Sequence, residues 1–438
     1  MNRLLLLLLL FASSASAQHH FSVAEAQAHG LQYNTEIKNA RLDVKLAKKQ
    51  VMETVAIGLP HVSAEAQWQH FLEVPTTVMP ANAINPNASA DDLVEMQFGM
   101  AQNASATLTA SQLLFDGAYI VGLRASAVFK QFSEQVMFLT ERQVKDSIAV
   151  AYYNVLVAEE NKKFLSHLAE VHEHILGEIQ MRYEMGFVED LDVDRMALVL
   201  SNMESQSENM NRTTAIANLY LKLMLGIPLN ESLVLSDSLD GLVQSSSEIQ
   251  LEEGVWSNRL EYQLAEMQVR LNRLDVRRYQ SGWLPSIAAF GSYSQNAMRQ
   301  EFNFTADGNW YPTKMVGIKA TLNIFDGLSG TAKTQQARIN LEKSINQQAF
   351  VEESLQLELE VGQSAYFTAV KEYQHKETNL NLAQKIYEKT LAKYKEGLIS
   401  SLELSQAGAD YLQAHSEFSL SMKNLLLAKL KYQRTLGK

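Results

Sequence analysis

The chain has 438 residues, of which 46% are hydrophobic and 20% are charged, and it contains no cysteine. The absence of cysteine excludes disulfide scaffolds, cysteine-ligated zinc sites and thiol catalysis. The net charge of −11 argues against a protein that binds a phosphate backbone, so no nucleic-acid partner is expected.

The amino-terminal segment 1–17 has the pattern of a secretory signal peptide. Arg3 precedes a run of seven leucines, and the segment ends in Ala15-Ser16-Ala17. A positive start, a short apolar run and small residues at the end are typical of such peptides. We therefore expect residues 1–17 to be removed and the remainder to be exported. No later apolar run approaches the roughly 20 residues of a spanning helix, so β-strands are the expected means of any membrane crossing.

The remaining chain carries an internal duplication. Four short motifs recur in the same order: Gly-(x)-Leu-Pro at Pro60 and Pro285, Phe-Asp-Gly at Asp116 and Asp326, Tyr-x-x-Gly at Gly186 and Gly397, and Leu-Gly at Gly226 and Gly437. The copies are 225 residues apart for the first motif and 210 or 211 apart for the others. The first copy therefore holds about fifteen extra residues, and we predict that the Pro- and Asn-containing segment 75–92 is a loop insertion.

Each half is predicted to contain a helix, two strands, a long helix, a turn and a shorter returning helix. Prolines are absent from 87–227 and 313–438, where helix-favouring residues are common, so very long helices are permitted there. The predicted helices cover about 22–56, 118–185 and 190–226 in the first half, and 253–281, 328–396 and 400–436 in the second. The predicted division is a first repeat at 18–228, a connector at 229–252 and a second repeat at 253–438.

The returning helices carry a seven-residue repeat of packing residues. In the second half the positions are Ala407, Tyr411, Ala414, Phe418, Ser421, Leu425, Ala428 and Tyr432. The positions 211 residues earlier are Met196, Leu200, Met203, Ser207, Met210, Thr214, Ala217 and Leu221. A repeat sustained over this length indicates a coiled-coil seam, and an ordinary helical hairpin is the alternative.

The predicted strands alternate between apolar and polar residues. Apolar side chains occupy one parity of 62–68, 104–110 and 316–324, and polar side chains occupy the other, whereas the run from Ile287 alternates less well. Alternation over about ten residues fits a transmembrane strand that faces lipid and water. It fits a half-exposed sheet of a soluble protein equally well.

The number of strands and the length of the helices favour the membrane interpretation. Four strands cannot close a barrel across a bilayer, whereas three copies of the chain supply twelve. The long helices of 68–69 residues would reach roughly 100 Å, the scale of a periplasmic gap. We therefore predict a mainly α, internally duplicated fold with a transmembrane β-barrel that several copies of the chain share and that a helical tunnel continues.

The sequence resembles the TolC-type outer-membrane efflux family over essentially the whole mature chain. The resemblance depends on the duplicated Gly-(x)-Leu-Pro, Phe-Asp-Gly and Tyr-x-x-Gly motifs in consistent order. It implies a homotrimer with a twelve-stranded barrel in outer-membrane lipid, continued by a long α-helical coiled-coil barrel that extends into the periplasm. It also implies a periplasmic adaptor (membrane fusion) protein as a partner, which joins the channel to an inner-membrane transporter. The expected function is passive conduction of substrates, gated at the periplasmic helix turns.

The resemblance also assigns candidate site residues to the two turns. The adaptor-docking residues would be Gly186, Phe187, Val188, Gly397, Leu398 and Ile399. In the family, acidic side chains six and nine residues after each glycine constrict the closed channel; these positions hold Asp192 and Arg195, and Glu403 and Gln406. Gln406 and Arg195 depart from the acidic pattern. Ile399 stands where a basic bridging residue is expected, so Tyr394 is the retained candidate latch. The alternative role for Asp192 and Glu403 is to complement the helix amino termini.

No motif in the sequence indicates catalysis, a metal site or a cofactor. The phosphate-binding loop, the zinc-protease motif and the serine-hydrolase elbow are all absent. His167 and His174 could share one helix face, but His172 would point elsewhere. No third metal ligand is therefore indicated. Two alternative functions remain: an exit duct for type I protein secretion, and a soluble periplasmic coiled-coil scaffold.

Overall fold

The computed structural model describes residues 18–245, 256–305 and 308–437, so the predicted signal peptide and part of the predicted connector lie outside the described residues. The described chain is mainly helical. No helix in these ranges is both long enough and apolar enough to cross a membrane. In chain order the strands and helices are β1 (Gln18–Phe21), α1 (Val23–Tyr33), α2 (Thr35–Ala56), β2 (His61–His70), β3 (Thr76–Pro80), β4 (Leu93–Gln97), β5 (Gln102–Phe115), α3 (Gly117–Glu184), α4 (Asp190–Leu225), β6 (Ser232–Leu235), α5 (Leu239–Ser245), α6 (Leu260–Ser281), β7 (Ser286–Arg299), β8 (Tyr311–Thr321), α7 (Ser329–Lys395) and α8 (Ser401–Thr435).

The chain divides into two units. The helical unit contains the segment that ends at Lys45, together with 132–267 and 346–438. The sheet unit contains 46–131 and 268–345. Each unit therefore takes residues from both of the predicted repeats.

The sheet unit contains a four-stranded antiparallel sheet with the order β2-β5-β7-β8. The strands predicted in the two halves form one sheet because β5 of the first half pairs with β7 of the second. The register keeps the alternation in phase across strands, with Ala66 opposite Ala106 on one face and Thr107 opposite Ser294 on the other. A one-residue slip would exchange the two faces, so the pattern of side chains fixes the register.

The end of β8 corrects one strand prediction. The alternation was predicted to continue through Leu322 and Ile324, but the strand ends at Thr321. Thr321 lies opposite Ser286, the first residue of β7. The residue before it is Pro285, which has no N–H to donate, so the ladder of hydrogen bonds ends there.

The predicted loop insertion 75–92 is partly regular. Strand β3 pairs antiparallel with β4, from Thr76 opposite Gln97 to Pro80 opposite Leu93. The paired residues include threonine and valine, which favour strands, and the proline lies at a strand end, where a missing N–H is tolerated. The prediction of a loop was therefore incomplete, because the insertion contributes to a separate two-stranded sheet.

The returning helices α4 and α8 direct their seven-residue repeats into the helical unit. All the repeat positions predicted from the sequence are buried or half-buried. Met196, Leu221 and Tyr432 are at most 1% exposed. The repeat therefore marks the packed face of each helix.

The predicted first helix, at about 22–56, is divided at Asn34. The Asn34 Nδ2 donates to the Met224 carbonyl at 2.7 Å. Its Oδ1 accepts from the Glu36 N–H at 2.7 Å, which caps the start of α2. One side chain thus ends one helix, begins the next and binds α4, so the prediction of a continuous helix was wrong.

Candidate functional site at the helix turns

The two turns that join the long and returning helices have the same backbone construction. Gly186 and Gly397 have φ values of +79° and +76°, in the left-handed region that glycine adopts without steric cost. Each glycine N–H donates to the carbonyl of the tyrosine three residues earlier, at 2.9 Å. The next N–H donates to the carbonyl five positions earlier, at 2.9 Å in the first turn and 3.0 Å in the second. Both long helices therefore end in the same type of glycine cap.

The predicted docking residues place apolar surface at both turns. Phe187 is 77% exposed and Leu398 is 67% exposed. Val188 and Ile399, the next residues in each turn, are half-buried. Contiguous exposed apolar surface is typical of a site where another protein binds.

Two hydrogen bonds connect the first turn with the second. The Arg182 Nη2 donates to the Lys395 carbonyl at 2.8 Å. The Ser401 hydroxyl donates to the Asp192 Oδ1 at 2.6 Å, and Ser401 is 1% exposed. Both bonds are charge-assisted, because the first has a guanidinium donor and the second a carboxylate acceptor.

Tyr394 lies beside this connection. With Arg182, Asp192 and Ser401 it lines a cleft of about 710 Å³ between the two turns. Burial raises the pKa of the Tyr394 phenol, and the negative charge of Asp192 raises it further. The structure thus brings Tyr394 and Asp192 together at the same cleft.

The other predicted gate residues lie outside the cleft. Glu403 is exposed, and Ser400 caps the start of α8 by accepting from the Glu403 N–H at 3.4 Å. The Ser400 hydroxyl also donates to the Glu403 carboxylate at 3.4 Å. Gln406 is exposed and donates to Asp410 at 2.8 Å, one helical turn further on. In a single chain Glu403 therefore takes part in capping its own helix, which is the alternative role foreseen for it.

Two residues that connect the turns, Arg182 and Ser401, were not predicted from the sequence. Arg182 belongs to the duplicated Tyr-x-x-Gly motif, but its partner is a backbone carbonyl, which no sequence pattern marks. Ser401 follows the capping serine and resembles an ordinary residue of the first helical turn. The one available signal was that Lys393 stands at the position of Arg182 in the second half, so both copies are basic.

Residues 255–438 match the family model of outer membrane efflux proteins. This part of the chain is similar to outer membrane efflux proteins. The family is one of efflux channels rather than of enzymes. A search of curated proteins finds no match to the chain.

Solved structures of outer-membrane efflux-type channels share the fold over nearly the whole chain. VceC, an outer membrane protein of Vibrio cholerae, is 15% identical, with a TM-score of 0.70 over 95% of this chain and 96% of its own. The CmeC outer membrane channel of Campylobacter jejuni is 18% identical, with a TM-score of 0.73 over 95% of this chain and 85% of its own. The open state of the Neisseria gonorrhoeae MtrE channel is 17% identical, with a TM-score of 0.73 over 95% of this chain and 88% of its own.

At these identities the structural likeness establishes the fold. Together with the family match, it confirms the resemblance to TolC-type channels that the sequence predicted. The same two findings support the predicted location in the outer membrane.

Proposed function

We propose that this chain is the outer-membrane channel of a tripartite efflux system. It would passively conduct substrates from an inner-membrane pump across the periplasm and the outer membrane. The observation that carries the proposal is the four-stranded sheet, whose outer strands β2 and β8 each have one neighbour in the described chain. An open sheet edge is not tolerated in lipid, so further copies of the chain have to supply the missing neighbours.

Three copies of the chain would close the sheet into a barrel. The strands alternate in direction, so β8 of one copy can lie antiparallel to β2 of the next. These edge strands have 10 and 11 residues, enough for a tilted transmembrane strand of about 9–11 residues. A homotrimer then has the twelve strands that the family resemblance implies.

The two faces of the sheet suit lipid on one side and water on the other. Val316 and Ile318 are 87% and 71% exposed on the apolar face, a cost in water that contact with lipid removes. The opposite face carries serine, threonine and asparagine in β5 and β7. Polar groups of this kind select weakly among substrates, so we assign the choice of cargo to the pump.

The apolar surface at the helix turns is the proposed docking site for a periplasmic adaptor protein. Phe187 and Leu398 occupy equivalent positions in the two turns, so one type of adaptor contact can recur around the trimer. The adaptor would connect the channel to the inner-membrane transporter. Its binding would favour the open arrangement by contacting that arrangement more extensively.

We assign the closed state of the gate to the bonds from Arg182 to Lys395 and from Ser401 to Asp192. Three copies of Glu403 near the channel axis would repel one another, so closure has to be held by such bonds and by helix packing. Opening would then require that the two turns separate within each chain.

Planar-bilayer recording tests this function and its gate together. Ser401→Ala and Asp192→Ala remove the same charge-assisted bond of about 1.5–3 kcal/mol, so each should raise the ratio of open to closed channels at least about tenfold. The double variant should resemble either single variant, because only one bond is lost. Asp190→Ala, at an exposed residue of the same helical turn, is the matched control. Equal gating in all four variants would refute the latch.

Fractionation distinguishes the channel from its alternatives. A trimer that requires detergent for extraction supports the channel, whereas release by osmotic shock supports a soluble scaffold. A strain that lacks the chain should lose resistance to small toxic molecules. Loss of secretion of a protein instead would favour the type I secretion duct.

A further inference from the structure

His172 is a fully buried imidazole at the junction of α3, α7 and α8. It is 0% exposed, and its Nδ1 donates to the Leu168 carbonyl of its own helix at 2.9 Å. Its Nε2 has no hydrogen-bond partner among the described residues. The Tyr387 ring of α7 stacks at 6.1 Å, and a methyl group at Gly408 of α8 would lie 3.2 Å from Nε2. The ring is therefore neutral and enclosed, with no acceptor for a second proton.

His415 is a second enclosed imidazole on the same contact between α3 and α8. It stacks on Phe164 of α3, with ring centroids 3.7 Å apart and planes at 7°. In the part of the chain that the structure describes, its Nδ1 has no hydrogen-bond partner, and its Nε2 lies 3.9 Å from the Glu160 carboxylate. Phe164 also meets Tyr411, which stacks on Tyr387 at 5.5 Å, so a continuous set of rings links the two histidines.

The surroundings offer little charge to stabilise a protonated imidazole. The acidic group that α3 contributes is Glu160, which is 44% exposed. Helix α7 contributes Tyr387, together with Glu388, whose charge is felt at Tyr411 of α8. The packed neighbours are otherwise apolar and include Leu165, Leu168, Ile175, Met196, Leu404 and Ala407.

Both histidines are therefore held in the neutral form. Burial lowers the pKa of His172, and the bond to the Leu168 carbonyl opposes that shift. Burial lowers the pKa of His415 from 6.5 to about 4. An imidazole with a depressed pKa favours the packed arrangement above its ordinary pKa, and this contribution is lost progressively as the pH falls below that value.

We propose that the contact between α3 and α8 is acid-labile, so that protonation of His172 and His415 loosens the two helix turns that these helices carry. This regulation depends on the proposed function, because it acts on the same gate. A proton on His172 Nε2 would be a buried cation without an acceptor, whereas Glu160 would offset part of the charge on His415. His415 has a pKa of about 4 in the packed form. At about pH 5 this residue alone therefore shifts the equilibrium between the packed and the loosened helix contact about thirtyfold towards the loosened one.

The experiment measures the separation of the turns directly. Because the chain has no cysteine, Met185→Cys and Leu398→Cys provide unique sites for nitroxide labels at exposed residues of the two turns. The labelled full-length chain is diluted with unlabelled chain in detergent, and pulsed EPR records the distance distribution at about pH 7.5 and about pH 5. We expect a longer, broader distribution at the lower pH.

Substitution of the two histidines should abolish the response. His172→Phe with His415→Phe removes both titrating groups. His172→Gln with His415→Gln also removes them, and it serves as the second test if the phenylalanines disturb packing. His174→Phe, at an exposed position of the same helix, should leave the response intact. The proposal is overturned if the unaltered turns do not respond to acid, or if the response survives both double variants. A channel silent in bilayers with an intact acid response would refute the proposed function alone.

Discussion

Replacement of Arg259 with methionine is expected to destabilise the helical unit strongly, because it removes one charge from a buried network. The Arg259 side chain is 1% exposed, with its Nη1 2.7 Å from Glu358 and its Nη2 3.0 Å from Glu261. Arg434 also contacts Glu261, at 3.3 Å, and lies 3.7 Å from Asp146. The network thus joins four helices, α3, α6, α7 and α8.

The expected loss of free energy of unfolding follows from the bonds that Arg259→Met removes and from the two carboxylates that remain. Two charge-assisted bonds are lost, each worth about 1.5–3 kcal/mol. Glu261 and Glu358 are 20% and 30% exposed, so water recovers part of that energy. Glu261 also keeps its contact with Arg434. We therefore expect the free energy of unfolding to fall by about 3–5 kcal/mol, as for other buried pairs that lose one partner.

The pH dependence of this loss has a definite sign. Burial would raise the pKa of Glu261, but hydrogen bonds from its own backbone and from Arg259, with the charges of Arg259 and Arg434, hold it below 4.5. A carboxylate with a lowered pKa stabilises the fold above its ordinary pKa and ceases to do so as the pH falls. The difference between Arg259→Met and the unaltered protein should therefore shrink below about pH 4.5.

Denaturant unfolding of the full chain in detergent, followed by helical circular dichroism, measures the effect. Arg212→Met is the matched control, because Arg212 and its partner Glu208 are 61% and 71% exposed. An exposed pair of this type contributes at most about 0.5 kcal/mol. Equal unfolding midpoints for Arg259→Met and Arg212→Met would refute the reasoning.

Two further substitutions test the local backbone. Gly226→Ala should lower the free energy of unfolding by at least about 2 kcal/mol more than Gly397→Ala does. Both glycines have positive φ, which costs alanine about 1–2 kcal/mol. Only at Gly226 would the added methyl group also clash, at 2.5 Å from the Tyr33 carbonyl oxygen. Similar denaturation midpoints for the two would contradict this. Asn34→Ala should lower the free energy of unfolding by about 1–2 kcal/mol, because it removes the cap of α2. It should also increase hydrogen exchange at the first amides of that helix. Unchanged exchange there would show that the cap is unimportant.

The parts of the fold that were predictable from the sequence are those with a local pattern. The long helices follow from the positions of the prolines, the packed faces from the seven-residue repeat, and the turns from the repeated tyrosine and glycine. The predicted bounds 118–185 and 328–396 differ by one residue at each end from Gly117–Glu184 and Ser329–Lys395. The spacing of apolar residues and the positions of proline and glycine predict the structure of a segment from its own sequence. The long helices and their turns depend on little else.

The missed features depend on contacts between distant residues. Asn34 acts as a cap only because Met224 offers a carbonyl, and asparagine is otherwise tolerated in a helix. The bonds from Arg182 and Ser401 join residues 213 and 209 positions apart. Glu403 was placed at the gate through the resemblance, whereas its contacts within one chain are those of a helix cap. Residue types alone do not distinguish such roles.

The pairing of β5 with β7 has a consequence for biogenesis. Its first pair joins Gln102 to Arg299, so the central ladder cannot form until the second half of the polypeptide has emerged from the export machinery. Closing so long a loop is slow compared with helix formation, so β2 and β5 of the first half, which pair with each other, must wait for their neighbours from the second half. A holding chaperone in the exported compartment would protect them during that interval. Completion of the four-stranded sheet is therefore expected to be a late event, which has to wait until β7 and β8 are available.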